Sequence, residues 1–166
     1  LASYKALNQY DWCNSLVVSD HIREVFLRQV EQPNQEKQII QKLQVLDEIN
    51  NKVSVKVKEQ YEESPYPRWV GLGLQASASI SKVIYDNKLK VHNVNIAKVE
   101  KPEILIAGCG TGQHSVATAK RFKGSKVLAI DLSRPSLAYA KRKTEELYVE
   151  NIEYMQGDIL DLRNLN

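Results

Sequence analysis

The chain has 166 residues, 43% of them hydrophobic and 26% charged, with a formal net charge of +3. That is an ordinary globular composition, long enough for one domain with its own core or one domain plus a small appendage. It shows no run of 18 apolar residues and no charged-then-apolar leader, so neither a membrane helix nor a secretory signal is read in it.

The chain opens on Leu1 rather than Met and is expected to be part of a longer one. Cys13 and Cys109 lie far apart with no zinc or disulfide spacing, which points to a reduced, cytoplasmic protein. No H-x-x-H, C-x-x-C or carboxylate cluster suggests a metal site. The basic excess is carried by the second half, in Lys120-Arg121-Lys123 and Lys141-Arg142-Lys143. Phe122 is the one aromatic within these runs, too few for a stacking track, so they read as solvated helix faces rather than a nucleic-acid track.

Residues 1–60 read as a helical region. Ala2–Trp12 is one segment. A second runs from Ser19-Asp20 through Ile22, Val25, Phe26 and Val30, and Gln32-Pro33-Asn34 is expected to stop it. A third, Glu36–Asn50, places Ile39, Ile40, Leu43, Leu46 and Ile49 on one face. Residues 53–63 alternate like a strand but also keep Val53, Val57 and Tyr61 at i, i+4. Helix is preferred, with Ser64-Pro65 as its stop.

Residues 61–101 form a connector. It opens inside QYEESPYPRW (60–69), where Tyr61, Tyr66, Arg68 and Trp69 crowd around two prolines. Prolines this close stiffen the backbone. The segment is either a staple that packs its rings on the following domain or an edge of a ligand pocket. A loop (71–77), a short helix (80–89) and a linker (91–101) follow.

Residues 102–166 carry the chemistry. Glu103–Ala107 is a short apolar run of the kind that forms a buried parallel strand. Gly108, Gly110 and Gly112 follow at every second position, and a helix is expected over 113–123. Glycines in a strand-to-helix turn let backbone approach a ligand where the first helical N–H groups are unsatisfied. A second strand, 126–130, ends in Asp131, about 20 residues on, where a doubly wound sheet places the carboxylate that holds a ribose. A helix over 134–148, capped by Ser133, and a third strand, 152–156, complete the pattern. The dinucleotide fingerprint G-x-G-x-x-G would need glycine at Gln113; the spacing here is G-x-G-x-G. His114 after the turn has no partner in sequence and reads as packing or capping.

On these residues the chain resembles the class I S-adenosylmethionine (SAM) dependent methyltransferases. GCGTG at 108–112 matches their first motif, Asp131 closing VLAID their second-strand acid, and Gly157-Asp158 in EYMQGDIL the pair after their third strand. The resemblance implies an α/β, Rossmann-like sheet, here its first three strands, behind an N-terminal helical region. It implies SAM bound by Ala107, Gly108, Cys109, Gly110, Thr111, Gly112, Asp131, Leu132, Gly157, Asp158 and Ile159, with Asp131 on the ribose and Asp158 on the adenine amino group. Ile106 stands where the family usually has an acid, so backbone carbonyls near Gly108 are expected to hold the SAM amino group.

The proline segment together with ILIAGCGTGQH is similar to the methyltransferase module of bacterial tetratricopeptide-repeat proteins, although no 34-residue repeat is present. Tyr61, Tyr66, Arg68 or Trp69 is then expected to line the cofactor pocket as a lid. The implied activity is methyl transfer to an acceptor, a small molecule or protein rather than nucleic acid. The alternatives are a non-enzymatic SAM-binding or interaction module and an aminopropyl transferase. On the family pattern the chain stops before the fourth strand. The 166-residue piece alone is therefore expected to be inactive, with the rest of a larger chain as its partner.

Overall fold

The computed structural model describes residues 5–63 and 68–164. Two compact units are present, Leu1–Lys42 and Leu43–Asn166. In the first, 3-10 turns at Leu7–Gln9, Asp11–Ser15 and Asp20–Ile22 lead into α1 (Arg23–Phe26), a π turn (Leu27–Glu31) and α2 (Gln32–Lys42). The described part of the expected first helix is thus two 3-10 turns. The expected stop at Pro33 is also corrected, because the chain stays helical through it. Proline lacks an N–H, and its ring collides with the carbonyl four residues back in a regular α-helix. Widening the preceding turn to i→i+5 spacing relieves both conflicts. Cys13, Val30 and Ile39 are buried, and Arg23–Glu31 and Arg28–Glu24 form ion pairs on the outside.

The second unit is a mixed α/β fold on a parallel four-stranded sheet, in the order β1-β4-β3-β2. Its strands are β1 (Gln44–Val45), β2 (Glu103–Ala107), β3 (Lys126–Asp131) and β4 (Ile152–Gln156). The last three match the strands expected from sequence. The fourth is a correction: the helix read over Glu36–Asn50 ends at Lys42, and Gln44–Val45 pair with Met155–Gln156. Leu46 continues the contact, donating its N–H to the Gln156 carbonyl at 2.8 Å.

Helix α3 (Lys52–Glu63) forms as expected, with Asn51 Oδ1 accepting the N–H groups of Val53 and Ser54 at 2.9 and 3.3 Å. Helix α4 (Ile80–Asp86) is capped by Ser79, and Ala78 forms a parallel bridge to Phe122. Helices α5 (Gln113–Arg121) and α6 (Arg134–Glu146) are the crossovers β2-α5-β3 and β3-α6-β4. Both crossovers step the same way along the sheet. Right-handed connections therefore put both helices on one face. That face is closed by Ile106, Val127, Ala129 and Tyr154 beneath Val116, Leu137 and Ala140, all buried. Leu105 and Glu153 are exposed on the opposite face. Among the described residues β2 is the outer strand of the sheet.

Candidate functional site

The glycine turn joins β2 to α5 through left-handed backbone at three positions: φ is +73° at Gly108, +53° at Gly110 and +79° at Gly112. Side chains rarely adopt such angles, which explains a glycine at each. The glycines differ in their surroundings. A Cβ at Gly108 or Gly110 would project into open space, whereas one at Gly112 would stand 2.5 Å from Ala140 Cβ and 3.0 Å from the Tyr154 hydroxyl. Gly112 therefore lets the start of α5 lie against α6, while Gly108 and Gly110 leave their backbone bare.

Asp131 ends β3 beside this turn. Its carboxylate accepts the Gly110 N–H at 2.8 Å and the Ser133 N–H at 2.9 Å. The carboxylate thereby joins the first turn of the crossover to the second. Ser133 extends the chain of contacts: its Oγ accepts the Ser136 N–H at 3.2 Å and donates to the Tyr61 carbonyl at 3.1 Å. The last turn of α3 is tied to the cap of α6 by this bond.

A cavity of about 290 Å³ opens at the C-terminal ends of the strands, the usual place for a ligand in an open parallel sheet. Val57, Tyr61, Gly108, Gly110, Asp131, Leu132, Ser136 and Ile159 line it. Six of these were expected from sequence: Gly108, Gly110, Asp131, Leu132, Ile159 and Tyr61. Val57 and Ser136 were missed. Val57 was within reach, since it precedes Tyr61 by one helical turn and shares its face. A larger groove of about 580 Å³ runs among Glu103, Leu105, Lys126, Leu128 and Glu153, away from the glycine turn.

The other expected residues stand behind or beside the cavity. Thr111 and Cys109 are buried behind the turn, and Ala107 is exposed at the end of β2. Burial, and then the Asp131 charge, push the Cys109 thiol above its ordinary range, so it stays protonated and is no nucleophile. Gly157 lies under Leu46, whose side chain would be 3.2 Å from a Cβ there. Asp158 is buried, and its Oδ1 accepts the Leu160 N–H at 2.9 Å, capping the turn that carries Ile159. Arg68 is exposed, with its guanidinium 5.2 Å from the Tyr139 ring centroid, and Tyr66 and Ser64-Pro65 lie outside the described residues. Trp69 does not line the cavity; its indole N–H donates to the Thr111 carbonyl at 2.9 Å. Of the four groups expected at the lid, Tyr61 is at the cavity and Trp69 holds the turn from behind. Among the described residues no group of three His, Cys, Asp or Glu side chains could hold a metal, and no helix is long and apolar enough to cross a membrane.

Residues 104–166 match the family described as "Methyltransferase domain". The chain is also similar to a tRNA (guanine-N(7)-)-methyltransferase of Helicobacter pylori, 33% identical over 63 residues, covering 38% of this chain and 16% of the relative. A cypemycin N-terminal methyltransferase of Streptomyces sp. is 44% identical over 59 residues, covering 36% and 22%. The chain thus spans about a fifth or less of the length of these curated relatives. Among solved structures, geranyl diphosphate C-methyltransferase from Streptomyces coelicolor A3(2) aligns at 20% identity with a TM-score of 0.45, covering 68% of this chain and 49% of that one. In sequence, the segment 104–166 resembles a class I methyltransferase domain, and the α/β sheet it helps to build is the fold that this resemblance implies.

Proposed function

We propose that the cavity binds SAM and that the protein transfers its methyl group to an acceptor. One observation carries the reading: Gly108, Gly110 and Asp131 meet at one cavity at the strand ends, inside the segment that matches the methyltransferase family. The residues fit the cofactor. Gly108 and Gly110 present backbone with no side chain in the way. A carboxylate has about four lone-pair sites. Asp131 uses some of them on Gly110 and Ser133 and keeps capacity for ribose hydroxyls. Leu132, Ile159 and Val57 offer apolar walls for an adenine ring, and Tyr61 lines the cavity beside them. Asp158, held next to Ile159, is proposed for the adenine amino group. The backbone of 108–112 would border the methionine part.

When bound, SAM supplies an activated methyl on a sulfonium. The chain's own residues then have to orient, enclose and exclude water, and no strong base is required. This agrees with a protonated Cys109. The acceptor is proposed to be a small molecule or a protein, and the site of action the cytoplasm.

The test is calorimetric titration of the full-length protein with S-adenosylhomocysteine. Asp131→Ala should weaken binding by roughly 1.5–3 kcal/mol, the range for hydrogen bonds to a charged group. An unchanged dissociation constant would overturn the assignment. Binding without turnover on any acceptor would favour a non-enzymatic module, and turnover of decarboxylated SAM an aminopropyl transferase.

A further inference from the structure

We infer that Trp69 is a positioning residue: by locking the Thr111–Gly112 peptide from behind, it holds the glycine turn in the shape that presents Gly108 and Gly110 to the cavity. The inference rests on the cofactor reading of that turn. Trp69 is 7% exposed and lies edge-on to Tyr139, with ring centroids 6.2 Å apart. Residues 69 and 70 are held on α6 by their backbone. The Tyr139 hydroxyl donates to the Trp69 carbonyl, and Lys143 Nζ donates to the Val70 carbonyl at 2.8 Å. The same ammonium lies 5.0 Å from the Trp69 ring centroid and pairs with Glu146 at 2.6 Å. Lys143 is itself buried, as is Arg142, which corrects the solvated face read for this run from sequence; the stem and charge of Lys143 are both committed to this clamp.

From that fixed position the indole N–H reaches 42 residues along the chain to the Thr111 carbonyl, at 2.9 Å. A peptide unit is planar. Holding the Thr111 carbonyl therefore also fixes the direction of the Gly112 N–H, which donates to the Cys109 carbonyl at 3.0 Å. This peptide needs such restraint. It lies between two left-handed glycines, which have more backbone freedom than any other residue. Gly110 is restrained by its bond to Asp131 and the Gly112 N–H by its bond to the Cys109 carbonyl. Trp69 adds the restraint on the peptide between them. A phenylalanine would fill the same space without offering the donor.

The experiment compares Trp69→Phe with wild type in the full-length protein, without reference to activity. Hydrogen exchange over 108–113 in the unliganded protein should rise in the variant, and saturating S-adenosylhomocysteine should restore protection. Affinity for that ligand should fall about three- to tenfold, as expected when the competent turn is only a fraction of the population. Tyr139→Phe, which keeps the indole N–H but releases the Trp69 carbonyl, should shift both readouts in the same direction and by less. It also decides the matter if Trp69→Phe does not fold. A lower melting midpoint with exchange and affinity unchanged would overturn the inference and leave Trp69 as a space-filling residue. If wild type fails to bind the ligand, the cofactor reading falls. Exchange at 108–113 still decides whether Trp69 holds the turn.

Discussion

Gly112→Ala separates the two roles that glycine plays in the turn. Gly112 has φ +79°, and an added Cβ would lie 2.5 Å from Ala140 Cβ and 3.0 Å from the Tyr154 hydroxyl. The left-handed angle costs a residue with a Cβ about 1–2 kcal/mol. The contact is with a buried helix whose neighbour is also fixed, because the Tyr154 hydroxyl is bonded to Thr144 Oγ1 at 2.8 Å. Overpacking of this kind adds about 1–3 kcal/mol. The sum is about 2–5 kcal/mol, and at roughly 2–4 °C per kcal/mol for a chain of this size the melting midpoint should drop by roughly 4–20 °C. Gly108→Ala is the control. Its φ is +73°, but no atom lies within 4 Å of the added Cβ, so only the strain of about 1–2 kcal/mol applies. Differential scanning calorimetry on both variants measures the difference. Adding Ala140→Gly to Gly112→Ala should then show a favourable coupling in a double-mutant cycle, since it removes the shortest contact. Equal destabilisation by the two alanines, or zero coupling, would refute the packing argument.

The remaining predictions concern the cap and the buried thiol. Ser133→Ala removes both the cap on Ser136 and the donor to the Tyr61 carbonyl. It should destabilise by about 1–2 kcal/mol in chemical denaturation; a loss below about 0.5 kcal/mol would mean that solvent replaces both bonds. The Cys109 thiol is raised by burial and by Asp131. It therefore stays protonated in the folded state while its unfolded counterpart ionises near pH 8.5, so stability should fall as pH rises beyond about 8.5. Cys109→Ala should flatten that decline, and an identical decline in the variant would remove Cys109 as its source.

The three long strands and the two crossover helices were legible because each is a local pattern. Residues 104–107 and 127–130 are apolar runs, Ile152, Tyr154 and Met155 sit among polar neighbours in 152–156, and Ser133 precedes Pro135 as a helix start should. Asp131 was legible for the same reason, as an acid closing an apolar strand. What sequence hid depends on partners far along the chain. Gln44–Val45 are too few to show a period of two, and they are a strand only because Met155 and Gln156 stand beside them. The preceding helical stripe, read through Leu43 and Leu46, therefore ran past its true end at Lys42. Pro33 misled in the other direction, since its usual effect is cancelled by a widened turn that leaves no mark in composition. In the proline segment the structure separates residues that sequence grouped together. Tyr61 faces the cavity because α3 carries it there, and Trp69 packs behind the turn because its indole has a carbonyl to reach.

The pairing of β1 with β4 also constrains how the chain is made. Its partners are about 110 residues apart in sequence, whereas β3 is only about 25 residues from β4 and from β2. A ribosome adding roughly 5–20 residues per second takes on the order of 5–20 s to cover the longer interval. Throughout it, residues 43–63 are already outside with no sheet to join. A two-residue strand cannot hold itself, and an isolated helix as short as α3 is marginal in water. The wall of the cavity that Val57 and Tyr61 supply is therefore a nascent segment in waiting. Its apolar side chains are exposed to chaperones, or to other nascent chains, until residue 156 emerges and gives them a place to dock.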